Sequence, residues 1–270
     1  MRELERDLPP TPASVADALS GRFVVVGRGR AGGAIAGAAR AAGLDVALAG
    51  RADAAAQTTD AAIVLLCVPD DAIAAAAETV AGADPAPRFV GHTSGASGLD
   101  ELAPATAAGA QAFSLHPLQT IPSPETDLAG APCAIAGETA EAEGVARALA
   151  ERLGMEPFAV PEESRAAYHA AASMASNFLI ALQESAAELM RAAGVEDPRA
   201  ALAPLVLRTA ANWSEAGAEA LTGPIARGDE GTVRRHLEAL REHAPHLASL
   251  YEELAERTRA IARGREEEPR

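Results

Sequence analysis

Six histidines, two cysteines and no lysine define the side-chain chemistry open to this chain of 270 residues, in which all 23 basic side chains are arginine. His169, Ser173 and Asn177 recur at i, i+4 and i+8 in a stretch free of Gly and Pro, so on a continuous helix all three project from one face. His169 is a candidate general acid/base, because imidazole titrates near neutrality. Ser173 and Asn177 are candidates to hold a substrate or a cofactor amide, and the competing reading is a polar stripe used in helix packing. His116, with Pro117, follows the apolar run Ala110 to Leu115. That places it at the carboxyl end of a strand, where ligands bind in open α/β sheets, unless it is simply a turn. Thr93 and Ser94 follow a second such run, Arg88 to His92, and are candidate hydrogen-bond donors to a substrate carboxylate. Arg227 lies in the turn-rich segment Thr222 to Asp229, as an anion clamp or as part of the turn that caps a helix opening near Asp229. His236, His243 and His246 lie among Arg and Glu on charged helices, and no Cys/His pattern predicts a metal site.

A different kind of site is predicted earlier. Val24, Val25 and Val26 run directly into Gly27-Arg28-Gly29-Arg30-Ala31-Gly32, which opens an alanine-rich helix. The three glycines serve a tight turn, backbone approach to a pyrophosphate, and close helix–strand packing. The helix N-terminus adds unpaired N–H groups and a partial positive charge. The next strand ends at Ala49-Gly50-Arg51, with no acid at its tip to bond a ribose 2′-hydroxyl. A guanidinium there suits a 2′-phosphate, and Arg28 and Arg30 stand close enough to help. The expected cofactor is therefore NADP(H), with Asp53, two positions late, as the dissenting residue.

The elements that must position these groups follow from pattern. Strands are expected at Phe23 to Val26, Asp45 to Ala49, Ala61 to Val68, Arg88 to His92, Ala110 to Leu115, Pro132 to Ala136 and Met155 to Val160, separated mostly by helices. This alternation predicts an α/β fold, a doubly wound Rossmann-type sheet, followed by an all-helical C-terminal domain. The expected division is a loose tail or short leading helix over 1–20, a dinucleotide-binding domain over 21–161, a helical domain over 162–263 and a charged tail over 264–270. One long helix is expected from Glu162 to Gly194. A net charge of −15 argues against nucleic acid or an anionic membrane as partner. The charged first residues give no signal peptide and no apolar run is long enough to span a bilayer, so a cytoplasmic protein is expected. Cys67 and Cys133, in apolar runs, read as buried thiols of a reducing compartment.

Several stretches resemble known proteins. Leu65-Leu66-Cys67-Val68-Pro69-Asp70-Asp71-Ala72-Ile73 resembles the segment that follows the nicotinamide side of the cofactor in the 6-phosphogluconate dehydrogenase-like superfamily, which implicates Val68 and Pro69 in cofactor binding. His92 to Ala96, Ser114 to Thr120, Tyr168 to Asn177 and Leu221 to Asp229 together resemble Rossmann-like proteins with a C-terminal "domain of unknown function 2520". The resemblance implies an NADP site and, from relatives that pair through such helices, a homodimer. His116-Pro117 is similar to the His-Pro of prephenate dehydrogenases, whose histidine takes part in the reaction. Many relatives carry a Lys-x-x-x-Asn on the long helix, and here Ser173 stands at the lysine position while Asn177 keeps the asparagine. A mechanism dependent on that lysine is excluded. The expected activity is NADP(H)-dependent hydride transfer to or from a small, anionic carbonyl or imine substrate. The alternatives are a non-catalytic NADP(H)-binding redox sensor or scaffold, and hydride exchange with a deazaflavin.

Overall fold

The computed structural model describes residues 12–267; the segment before residue 12 and the last three residues of the expected charged tail lie outside the described residues. Of the leading segment, expected as a loose tail or a short helix, Pro12–Ser20 is helix α1, because Val15, Ala18 and Leu19 share one face and Ala18 is buried in the core. The chain divides into two compact units, one closing at Ala175 and the other opening at Ser176. The composition change at Pro161 comes earlier because the first turn after it sends Arg165, only 3% exposed, back into the first unit.

In that first unit β1 (Arg22–Val26), α2 (Arg30–Ala41), β2 (Val46–Ala49), α3 (Ala54–Thr58), β3 (Ala61–Leu66), α4 (Ile73–Ala81), β4 (Phe89–His92), α5 (Ala103–Ala107), β5 (Gln111–Pro117), β6 (Pro132–Gly137), α6 (Ala140–Arg152), β7 (Glu156–Ala159) and α7 (Arg165–Ala175) follow in order. The seven strands form one sheet in the order β2-β1-β3-β4-β5-β6-β7. β1 to β5 pair in parallel, as strands joined by helical crossovers do. β6 runs antiparallel to β5, since the intervening segment 118–131 contains no helix to carry the chain across. Side chains alternate faithfully between the faces. Val25, Ile63, Leu65, Phe113 and Leu115 join one core with Ile35 of α2 and Leu149 of α6. Val24, Val26, Val64 and Leu66 join another with Ile73 and Val80 of α4. The expected doubly wound sheet is thus buried on both faces.

The second unit is helical: α8 (Asn177–Ala192), α9 (Pro198–Ala216), α10 (Glu230–His243) and α11 (Ala248–Glu267). α8 touches α9 and α10, and α10 touches α11. The single helix expected from Glu162 to Gly194 is not formed. A 3-10 turn occupies Glu162–Ser164, and the helix is interrupted at Ser176 (φ −116°, ψ −73°), so α8 begins afresh at Asn177. Ser and Asn offer the backbone competing hydrogen bonds and are weak in helix interiors, so a Ser-Asn pair is where such a run yields. The expected stripe is therefore corrected: His169 and Ser173 share α7, while Asn177 opens a different helix.

Candidate functional site

The glycine turn has the construction expected of it. Gly27, directly after β1, has φ 125°, and a Cβ there would lie 2.1 Å from Cys67 O, so only glycine fits. A Cβ on Gly32 would lie 1.8 Å from Gly27 O. At Gly29 nothing stands within 4 Å. Two glycines are thus consumed by packing, and the middle one leaves open space in front of the backbone. α2 begins there without a side-chain cap or an acidic residue in its first turn. Gly33 N is the first amide of the turn to reach an intrahelical carbonyl, Gly29 O at 2.9 Å, which leaves the preceding N–H groups of Arg30, Ala31 and Gly32 available to an anion.

Beside this turn a cleft of about 150 Å³ is lined by Gly27, Arg51, Val68, Ala72 and Thr79, among others. Pro69 stands exposed just past β3 and starts the 3-10 turn Asp70–Ala72. Asp53, the dissenting residue, is committed: Oδ1 accepts from Gly50 N at 2.8 Å and Oδ2 from Arg28 Nη2 at 2.6 Å. Arg28 is thereby drawn to the loop after β2, while Arg30 and Arg51 are exposed with no ion pair among the described residues. The donor set (helix N–H groups, an open glycine and a free guanidinium at the cleft) fits a pyrophosphate and a 2′-phosphate. It offers a 2′-hydroxyl only an acid that is already doubly bonded.

A second cluster forms at the carboxyl ends of β4 and β5 against α7. His92 pairs in register with Ser114, and His116 lies two residues on, on the same side of the sheet. Arg165 is buried, with Nη2 donating to Ser114 Oγ at 2.6 Å and to Glu162 Oε1 at 2.8 Å, and Nη1 donating to Ser94 O at 3.3 Å. His92 Nδ1 accepts from Ser94 N and its Nε2 reaches Gly98 O, so this histidine shapes the loop between them. Burial pushes His92 down to about 4, helped by the Arg165 charge. His116 Nδ1 lies 2.6 Å from Tyr168 Oη, with the rings edge to face. Burial, then the neighbouring His169 and Arg165, push His116 down to about 4 as well. His169 Nδ1 is buried without a hydrogen-bond partner. A Cβ built on Gly95 would be 2.7 Å from His169 Nδ1 and 2.8 Å from His116 Nε2, so the two nitrogens converge over this glycine.

The structure therefore brings His116 and His169 together over Gly95, with Ser94 preceding that glycine in the chain and Ser173 half-buried one turn along α7. His116-Pro117 belongs to the β5 ladder, paired with Ala134 and Cys133, and is not a turn. Thr93 points its hydroxyl at Leu66 O (3.4 Å), and Ser94 Oγ accepts from Ala96 N and Ser97 N. In the second unit Asn177 is exposed, and Arg227 is exposed in a turn whose Asp229 caps α10 by accepting from Thr232 N at 3.0 Å. His236, His243 and His246 are exposed there, His236 bonded to Tyr251. Burial pushes both cysteine thiols up to about 12, which leaves them unreactive at neutral pH. Among the described residues no group of His, Cys, Asp and Glu could hold a metal ion. None of them forms a helix long and apolar enough to cross a membrane. Sequence reasoning missed Arg165, Tyr168 and the role of Gly95. The spacing Arg165, Tyr168, His169 (i, i+3, i+4) was the available signal, since those three share a helix face.

Residues 45–117 match the model of a Rossmann-like domain, and residues 131–258 match the domain of unknown function DUF2520. No curated protein matches the chain. Among solved structures, a candidate NADP oxidoreductase from Bacteroides fragilis is 23% identical with a TM-score of 0.73, covering 90% of this chain and 99% of that one. Protein TM1727 of Thermotoga maritima matches over the same shares at 20% identity and TM-score 0.73. A reductive aminase from Aspergillus terreus, solved with NADPH and ethyl-5-oxohexanoate, is 17% identical with a TM-score of 0.62, covering 90% and 97%. At these identities the solved structures establish the fold. The two domain matches, over residues 45–117 and 131–258, agree with the resemblance carried by the sequence motifs.

Proposed function

We propose that this protein is an NADP(H)-dependent oxidoreductase that transfers hydride to or from a small anionic carbonyl or imine compound. The observation that carries the proposal is the pair of imidazole nitrogens converging over Gly95, on the same carboxyl edge of the sheet as the glycine cradle. From β1 to β5 is three strand spacings, about 14 Å, and ligands of open α/β sheets lie along that edge. When bound, the dinucleotide supplies or accepts the hydride. The chain's own residues hold it through Gly29, the α2 N–H groups and Arg51, with Val68 and Pro69 at the cleft. His116 and His169 address the substrate heteroatom, Ser173 orients it from the next turn, and Ser94 Oγ keeps its own proton to donate to a substrate carboxylate. That similar folds are described as NADP oxidoreductases, or were solved with NADPH, supports the reading. A homodimer in a reducing, cytoplasmic compartment is part of the same proposal.

The test is a panel of 2-oxo acids, aldehydes and cyclic imines followed by NADPH absorbance, beside calorimetric titration with NADPH and NADH. NADPH is expected to bind more tightly than NADH, and Arg51→Ala to weaken NADPH roughly tenfold, the loss of one charge-assisted contact, with NADH unaffected. His169→Ala is expected to remove turnover while leaving NADPH affinity intact. Tight NADPH binding with no turnover across the panel would favour the sensor reading. Equal affinity for the two dinucleotides would overturn the assignment of Arg51.

A further inference from the structure

The two histidines over Gly95 are not equivalent. His116 Nδ1 and Tyr168 Oη are 2.6 Å apart, and each can in principle donate or accept. No other protein acceptor meets Oη among the described residues, so a bare Nδ1 gives the phenolic proton a protein acceptor that an Nδ1–H donor would not. The surroundings agree. His116 is faced by Tyr168, His169 and Arg165 of α7 and by His92 of β4, and it feels the opposing charge of Asp70 after β3. Burial and the cationic side of this set push His116 down to about 4, and burial pushes Tyr168 up to about 12. At neutral pH a protonated phenol therefore faces a neutral imidazole.

We infer that Tyr168 is a positioning residue that donates to Nδ1 and fixes His116 as its Nε2–H tautomer, making His116 a neutral hydrogen-bond donor over Gly95 and leaving proton transfer to His169. The inference rests on reading this cluster as the reaction centre. His169 suits the second role because its Nδ1 has no partner and approaches the same point over Gly95. A neutral imidazole donor can polarise a carbonyl, and its bond strengthens as negative charge develops on oxygen. It finds no lone pair on a protonated iminium, so within the proposed function carbonyl compounds and the corresponding alcohols are favoured over iminium substrates. In the reducing direction the bound dinucleotide would supply hydride to the carbonyl carbon as the C=O electron pair moves to oxygen, held there by the His116 Nε2–H. The oxygen would then take a proton from the His169 ring, which is left one proton poorer.

The test is nitrogen-15 NMR of the full chain labelled at histidine, without cofactor or substrate, with His116 assigned by its loss in His116→Gln. The expected result at pH 7.5 is a His116 ring protonated at Nε2 alone, whose Nδ1 resonance shifts to that of an unbonded bare nitrogen in Tyr168→Phe. Replacing both tyrosines, Tyr168 and Tyr251, by 3-fluorotyrosine strengthens the phenolic donor and is expected to shift Nδ1 the opposite way; this arm covers the case in which Tyr168→Phe does not fold. A proton on Nδ1, a doubly protonated ring at that pH, or an Nδ1 resonance indifferent to either change would overturn the inference. Because no turnover is measured, failure here leaves the oxidoreductase reading standing, and an inactive substrate panel leaves the tautomer standing.

Discussion

Arg165 brings a positive charge into a largely apolar interior, and it is accommodated by a carboxylate, a hydroxyl and a carbonyl oxygen. Its histidine neighbours are kept uncharged first by burial and then by the positive side chains around them, Arg165 among these. His92 and His116 accordingly remain neutral in the fold, each near 4 against an ordinary 6.5. The unfolded chain therefore binds protons from about 6.5 downward while the folded chain does not, so the contribution of these two groups is complete above 6.5. It is lost as pH falls from 6.5 toward 4, and is flat below that. Each histidine is expected to add a slope of about 1.4 kcal/mol per pH unit in that window. Urea unfolding at pH 7.5, 6 and 5 checks this, with His92→Gln as the comparison. The variant should show a shallower decline than the parent, and parallel declines would show that His92 takes no part.

Within elements, the contrast between the glycines of the first turn separates packing from binding. Gly32→Ala must push against a backbone carbonyl that cannot swing aside, so a loss of about 1–3 kcal/mol in stability is expected, the usual cost of overpacking. Gly29→Ala meets nothing within 4 Å and should leave thermal unfolding unchanged while weakening NADPH binding, because the added methyl occupies the side from which a pyrophosphate approaches. Thermal unfolding of both variants with and without NADPH reads the two effects separately. A destabilised Gly29→Ala would mean the turn is tighter than the structure shows. These glycines were legible in the sequence because their role is local, as were the alternating strands, whose buried runs announce themselves. The helix break at Ser176 was not, since a Ser-Asn pair is a weak interruption of a long apolar-periodic run. Nor was the Tyr168–His116 bond: it joins residues 52 apart, and only the sheet order and the seating of α7 bring them together. Asp53 could be judged only once its two partners, Gly50 N and Arg28, were seen.

At the scale of the molecule, the helical unit leaves much of its apolar surface uncovered. Phe178 and Ile180 of α8 are 62% and 63% exposed, and Leu205, Leu207 and Trp213 of α9 are 64%, 71% and 68% exposed. In α9 only Pro198 is buried. Exposure of this many large apolar side chains marks surfaces that associate. A net charge of −15 repels copies at long range, so association must come from this apolar surface itself rather than from complementary charge. A second copy of the chain is the expected occupant, since an isologous contact can cover the same helices on both copies at once. Light scattering at micromolar concentration should return twice the 27.5 kDa chain mass. The mass should not fall with added salt, because burial of apolar surface and not ion pairing holds the copies together. The doubly substituted Leu207→Glu, Trp213→Glu chain should run as a monomer with the first unit's fold intact, judged by undiminished NADPH binding. A parent that is monomeric at that concentration would contradict the dimer, and a doubly substituted chain that stays dimeric would move the interface away from α9.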